Sequence, residues 1–234
     1  MSKADTIGLI LSYGYAFSLL FSIEKLGEKL NWQSFFTRKL IHMAAGMWVW
    51  AIVFIFDHWY IGIIPFATFI VLNYYFYKKR SFAKMDEEDA TPGTVYFAVS
   101  ITLLFLLFWR TNGSLIHLII ALASVMAMTL GDAAAALFGF YYGKRRVRHF
   151  SSSRTLEGTL SMFLFSFIAI FITMTLVLSS SLNQDGVELS LSLRVFSSLA
   201  AAAAAAIAEA FSPKGSDNLT VPLIVAGALY LLLS

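Results

Sequence analysis

Four carboxylates, Asp132, Glu157, Glu209 and Asp217, stand at or near the ends of long apolar runs, each with cations or other polar residues close by. They fall into three clusters: Arg38-Lys39-x-x-His42; the stretch from Gly131-Asp132 to Arg154-Thr155-x-Glu157-Gly158; and Glu209 with Gly215-Ser216-Asp217-Asn218. Side chains of these types handle a charged ligand. Carboxylates hold a hard metal ion, cations and helix N-termini hold phosphate, and a His or Glu moves a proton. In an apolar chain such groups are costly to bury and mark a site by default.

The elements that position them are membrane helices. The 234 residues are 59% hydrophobic and only 13% charged, with 22 Phe and 10 Tyr, too apolar for a soluble domain of this length. The net charge of +3 does not point to nucleic acid, because Lys and Arg fall in short loops between apolar runs, where membrane orientation explains them. The absence of Cys excludes disulfides, thiol catalysis and thiolate metal centres, and the four His residues show no His-x-x-x-His spacing. The N-terminus lacks the marks of a signal or transit peptide, so the first apolar run is expected to remain a helix.

A helix needs roughly 20 apolar residues to cross the hydrocarbon core, and about 17 can suffice. On that scale there are eight segments, at 6–23, 39–56, 59–77, 94–109, 114–142, 158–179, 194–211 and 218–233. The expected fold is therefore all-α: a polytopic integral membrane protein of about eight transmembrane helices, with residues 1–234 forming a single transmembrane domain. Loops 24–38 with Lys39, 78–93, 143–157 and 212–217 hold 14 of the 17 Lys and Arg residues. The positive-inside rule then puts both termini outside and all three clusters at the cytoplasmic face. The fifth segment, 29 residues long, exceeds the bilayer core at about 1.5 Å per residue, so it must tilt, break near Gly131 or extend into the cytoplasm.

Asp132, Ala136, Gly139 and Gly143 share one helical stripe, small side chains with a single carboxylate. The two glycines read equally as a helix-packing motif. Asp132 is expected to face a cavity or a cation, or else to pair with Lys or Arg of another helix. In the loop that follows, Lys144 to Arg148 suit a stop-transfer patch. Arg154-Thr155-x-Glu157-Gly158 opens the next span; Thr155 either caps that helix or joins Arg154 in binding phosphate, and Glu157 either complements the dipole or holds the accompanying metal. Arg38 and His42 are one turn apart at the start of the second span, and Lys39 reads as a snorkelling cation. Asp217 suits a cap for the last helix. Lys78-Lys79-Arg80 with Asp86 to Asp89 reads as a solvated loop or a cover over the site.

In order, these motifs resemble the polyprenol kinase family, which includes dolichol kinases, phytol kinases and CTP-dependent diacylglycerol kinases. The likeness rests on Arg38-Lys39-x-x-His42-x-x-x-Gly46, Gly131-Asp132-x-Ala-Ala, Gly139-x-x-x-Gly143-Lys144, Arg154-Thr155-x-Glu157-Gly158, and Glu209 followed by Gly215-x-Asp217-Asn218-Leu-Thr-x-Pro222. Arg154 stands where the family usually has Lys, which keeps the charge and changes its geometry. A looser form occurs in phosphatidate cytidylyltransferases, but their long C-terminal acidic motif is not found.

The resemblance implies a CTP-dependent kinase that phosphorylates the hydroxyl of a membrane lipid alcohol, with Mg²⁺ as cofactor. Asp132 and Asp217, with Glu157 or Glu209, are the expected metal holders; Lys144, Arg145 and Arg154, with Thr155, are expected to cradle the phosphates, with Gly139, Gly143 and Asn218 lining the nucleotide site. His42 or Glu209 would take the alcohol proton, with Arg38 beside them. The lipid would enter between helices, lined by the 132–143 stripe and the alanines 200–206. The alternatives are a CDP-lipid synthase and a non-enzymatic transporter, which would carry polar residues at both faces. The expected home is a prokaryotic cell membrane, or endoplasmic reticulum or plastid membrane, with the site cytoplasmic.

Overall fold

The computed structural model describes residues 1–79, 92–110, 113–146, 154–213 and 215–234. Every one of the eight apolar segments is helical, because in lipid the backbone must satisfy its own N–H and C=O groups. The helices are α1 (Lys3–Lys29), α2 (Ser34–Ile55), α3 (Trp59–Gly62), α4 (Ile64–Lys79), α5 (Gly93–Phe108), α6 (Leu115–Met126), α7 (Ala133–Tyr142), α8 (Leu156–Ser179), α9 (Leu191–Phe211) and α10 (Asp217–Leu233). Among the described residues six helical stretches are long and apolar enough to cross a membrane; α5 and α10 are apolar but shorter. Among the described residues the sole extended pairing is an isolated antiparallel bridge between Arg146 and Thr155. The architecture is all-α and polytopic.

The long fifth segment neither breaks at Gly131 nor runs as one regular helix. Residues Ala127–Asp132 form a π-helical turn that joins α6 to α7. Such wide turns open a helix locally and are frequent at functional sites. The segment is also the axis of the bundle: 89% of its apolar window is buried inside the protein. Two carbonyls of the wide turn serve other helices. Ala127 O accepts the Ser166 hydroxyl of α8 at 3.3 Å, and Met128 O lies 3.5 Å from His42 Nε2 of α2.

Around that axis α9 packs on both α8 and α10, α1 pairs with α2, and α4 pairs with α5. The alanine run serves this packing. Ala201, Ala202 and Ala205 are fully buried between α8 and α10, their small side chains allowing the backbones close together. None of residues 200–206 lines the central cavity. At the other end of the bundle, Ser2 and Asp5 form a capping box on α1. Asp5 also receives the ring Nδ1 and the backbone N–H of His58, at 2.7 and 3.2 Å, tying α1 to the start of α3.

Candidate active site

The two helix pairs α1–α2 and α4–α5 and the axis enclose a cavity of about 770 Å³. Its walls change character along its length. One end carries Arg38, Lys39, His42, Asp132, Arg146, Arg154, Thr155, Glu209, Asp217 and Asn218; the other is Trp48, Phe66 and Phe69 with their apolar neighbours. All three sequence clusters thus meet on one cavity.

Three local features bring the polar groups there. After α9 the chain turns at Gly215, whose φ of +87° suits glycine, and α10 begins at once. A Ser212–Thr220 side-chain hydrogen bond closes that turn, so Glu209 and Asp217 face the same way. The bridge between Arg146 and Thr155, with Leu156 N donating to Arg145 O at 2.9 Å, staples the two ends of the loop before α8. Third, α7 meets the start of α8 backbone to backbone. A Cβ on Gly158 would lie 2.9 Å from Ala135 O, and one on Gly139 would lie 3.1 Å from Thr155 Oγ1. The glycine stripe therefore does what the packing reading requires, and its open edge also lines the cavity.

Within the site the charges form two linked sets. Lys39 Nζ lies 2.5 Å from Asp132 Oδ2, and His42 Nε2 lies 3.7 Å from the same oxygen. Arg154 forms ion pairs with Glu209 and with Asp217, the latter at 2.9 Å, and reaches Ser212 O at 3.4 Å. Glu209 also accepts from Thr159 at 3.4 Å. These groups are substantially desolvated, with side-chain exposure of 5–6% for Glu209 and Asp132, 11–12% for His42, Arg154 and Asp217 and 19% for Lys39. Coulomb forces there are much stronger than in water. The Asn218 amide N–H donates to Gly93 O at 3.2 Å, while its buried Oδ1 has no hydrogen-bond partner among the described residues.

Not every residue singled out in the sequence arrives. Thr155 caps α8, accepting Gly158 N at 3.1 Å, and it also lines the cavity. Glu157 is outside the cavity lining and accepts from Arg145 N at 3.4 Å, so it closes the loop and does not join Asp132 and Asp217. Lys144 and Arg145 are exposed and outside the lining, whereas Arg146, which reads as part of a stop-transfer patch, is in it. Lys39 is the main omission; the Arg-Lys-x-x-His spacing holds it, but a cation at a span boundary is indistinguishable from a snorkelling one. The segment 80–91, the suggested cover, lies outside the described residues.

Among the described residues no three His, Cys, Asp or Glu side chains gather to cage a metal ion. Mg²⁺ usually takes one or two carboxylates and fills its octahedron with water and phosphate oxygens. Asp132 and Asp217 supply hard oxygen donors on one cavity wall.

Comparison with known proteins adds relatives of one kind. A phytol kinase of Synechocystis is 31% identical over 222 residues, covering 92% of this chain and 88% of that protein. A probable chloroplastic phytol kinase 2 of Oryza sativa is 27% identical across 90% of this chain and 70% of its own length. A probable chloroplastic phytol kinase of Triticum aestivum is 24% identical over 166 residues, 65% of this chain and about half, 53%, of that protein. No protein-family model matches the chain. No solved structure matches it either.

Proposed function

Because the chain belongs to the polyprenol and phytol kinase family, we propose that it transfers the γ-phosphoryl group of CTP to the hydroxyl of a membrane lipid alcohol of the phytol or prenol type. One observation carries this reading. A single cavity joins a buried set of cations and carboxylates to an aromatic, apolar limb, so a water-borne triphosphate and a lipid tail have adjoining places.

Phosphoryl transfer asks the protein mainly to hold phosphates in line and to neutralise charge. Arg154 and Lys39 are the buried cations for the phosphates, with Arg38 and Arg146 at the cavity wall. Their partners in the structure are the site's own carboxylates, which keep both signs compensated inside the membrane. Mg²⁺ carried by the nucleotide would be held by Asp132 and Asp217 and would offset charge on the transferring group. Glu209 is committed to Arg154 and Thr159, which leaves His42 as the better candidate to receive the alcohol proton. His42 stands where the polar end passes into the apolar limb, its ring 4.7 Å from that of Phe97. The free Oδ1 of Asn218 suits the same hydroxyl or a nucleotide water.

The bias of basic residues supports a cytoplasmic site, and the Synechocystis relative, matched over 88% of its length, supports a prokaryotic membrane. The test is a labelled-nucleotide assay on purified protein with phytol. Label from γ-labelled CTP, and not from ATP, is expected in the lipid monophosphate. Label appearing only in pyrophosphate would mean a cytidylyl transfer and sink the kinase reading.

A further inference from the structure

On α1, α2 and α4 the lining of the apolar limb ends at closely similar depths, and on α5 it ends higher, beside the Phe97 ring that meets His42. The deepest lining residue is Ser12 on α1, Trp48 on α2, Pro65 with Phe66 on α4, and Ala98 on α5. Consecutive helices alternate in direction, so low numbers on α1 and α4 and high numbers on α2 and α5 are the deeper ones. From Lys39 to Trp48, nine residues along α2 at about 1.5 Å each, the limb descends about 14 Å. That is near the middle of a hydrocarbon core roughly 30 Å thick.

The floor at this level is fixed by hydrogen bonds. Trp48 Nε1 donates to Ser12 Oγ at 3.1 Å, and Ser12 is only 2% exposed. The Trp48 ring stacks on Tyr15 at 4.2 Å with 12° between planes, and the Tyr15 hydroxyl donates to Ala44 O at 2.8 Å. An indole with its one donor satisfied and its face covered holds a single rotamer. Below the floor there is no room to continue. A Cβ on Gly8 would lie 2.6 Å from the Phe56 ring, and Phe66 packs against the fully buried Phe105 at 5.7 Å.

We infer that the Ser12–Trp48 pair, backed by Tyr15, is a chain stop that selects the tail length of the alcohol. This rests on the kinase reading of the polar end. The whole cavity of 770 Å³ holds roughly 25 groups of water size at about 30 Å³ each. One prenyl tail and the phosphoryl group being transferred fill it; a second acyl chain or a long polyprenol does not fit above the floor. Removing the indole opens the limb downward, and enlarging Ala16, one turn above Ser12 on α1, raises its floor.

The experiment uses the full chain in lipid nanodiscs, assayed with γ-labelled CTP on farnesol, geranylgeraniol and the longer solanesol. In parallel, geranylgeraniol carrying a diazirine at its tail end is photo-cross-linked and the adduct mapped by peptide mass spectrometry. Wild-type turnover is expected to favour geranylgeraniol over solanesol by roughly tenfold or more. Trp48→Ala should raise the solanesol to geranylgeraniol ratio by about the same factor, and Ala16→Phe should shift preference toward farnesol. The wild-type adduct should fall at Ser12, Trp48 or Phe66. Unchanged ratios in both variants, or adducts on outward-facing residues such as Leu11 and Phe54, overturn the chain stop. An adduct at the floor with no phosphorylation of any alcohol supports the stop and removes the kinase reading.

Discussion

The ammonium of Lys39 lies 2.5 Å from a carboxylate oxygen of Asp132, linking the start of α2 to the π turn of the axial helix. The pair is mostly buried, at 19% and 6% side-chain exposure. Breaking such a pair from one side leaves an uncompensated charge, which costs about 3 to 5 kcal/mol. Lys39→Met is therefore expected to lower thermal stability in detergent and to abolish lipid phosphorylation. The double variant Lys39→Met, Asp132→Asn should regain stability while staying inactive. Recovery of activity in the double variant would show that the pair is purely structural.

Arg154→Lys restores the residue usual at this position in the family, yet it is expected to be harmful here. The guanidinium touches Glu209, Asp217 and Ser212 O at once, and an ammonium cannot match that fork. The expected loss in kcat/KM for CTP is roughly tenfold to a hundredfold, with Arg154→Ala lower still. Steady-state kinetics with varied CTP will show whether the loss falls in KM or kcat.

Chelation separates a nucleotide-borne ion from a structural one. With no all-protein cage among the described residues, EDTA is expected to stop phosphorylation without changing the unfolding temperature, and added Mg²⁺ should restore it. A large fall in unfolding temperature on chelation would contradict the assignment of Asp132 and Asp217 as holders of a transient ion.

The glycines give a stability contrast. Gly158→Ala places a methyl 2.9 Å from Ala135 O, backbone that cannot swing away, and should cost about 1 to 3 kcal/mol. Gly14→Ala meets nothing within 4 Å in the middle of α1 and should be neutral or stabilising by about 0.5 to 1 kcal/mol. Thermal unfolding of the two variants side by side measures the difference.

Hydropathy and length locate the helices in the sequence because lipid leaves an apolar segment few other structures. The three polar clusters are legible for the matching reason, that charge in such a segment needs a purpose. What stays hidden depends on which way side chains face. Lys39 looks like any boundary cation until Asp132 is seen across from it. The alanines of α9 and the glycines of α7 are the same kind of small residue, and only packing shows that Gly139 edges the cavity while Ala202 does not. The π turn has no signature in Ala127-Met-Thr-Leu-Gly-Asp132, and Trp48 is one aromatic among many until its hydrogen bond to Ser12 singles it out.

A helix that merely crossed the bilayer would keep its carbonyl oxygens to itself. The wide turn at Ala127–Asp132 instead lends Ala127 O to Ser166 and Met128 O to His42, so main chain, and not side chain, braces two flanking helices against the axis. Bracing of that kind also packs the turn tightly, since a Cβ on Gly131 would collide with Ser166 Oγ. It is fragile in the count of residues: losing one from the turn rotates everything beyond it by about 100°, swinging Asp132 away from Lys39 and Gly139 away from Thr155 together. The site's alignment is thus stored as a number of residues, and a single-codon deletion is the lesion to which it is most exposed.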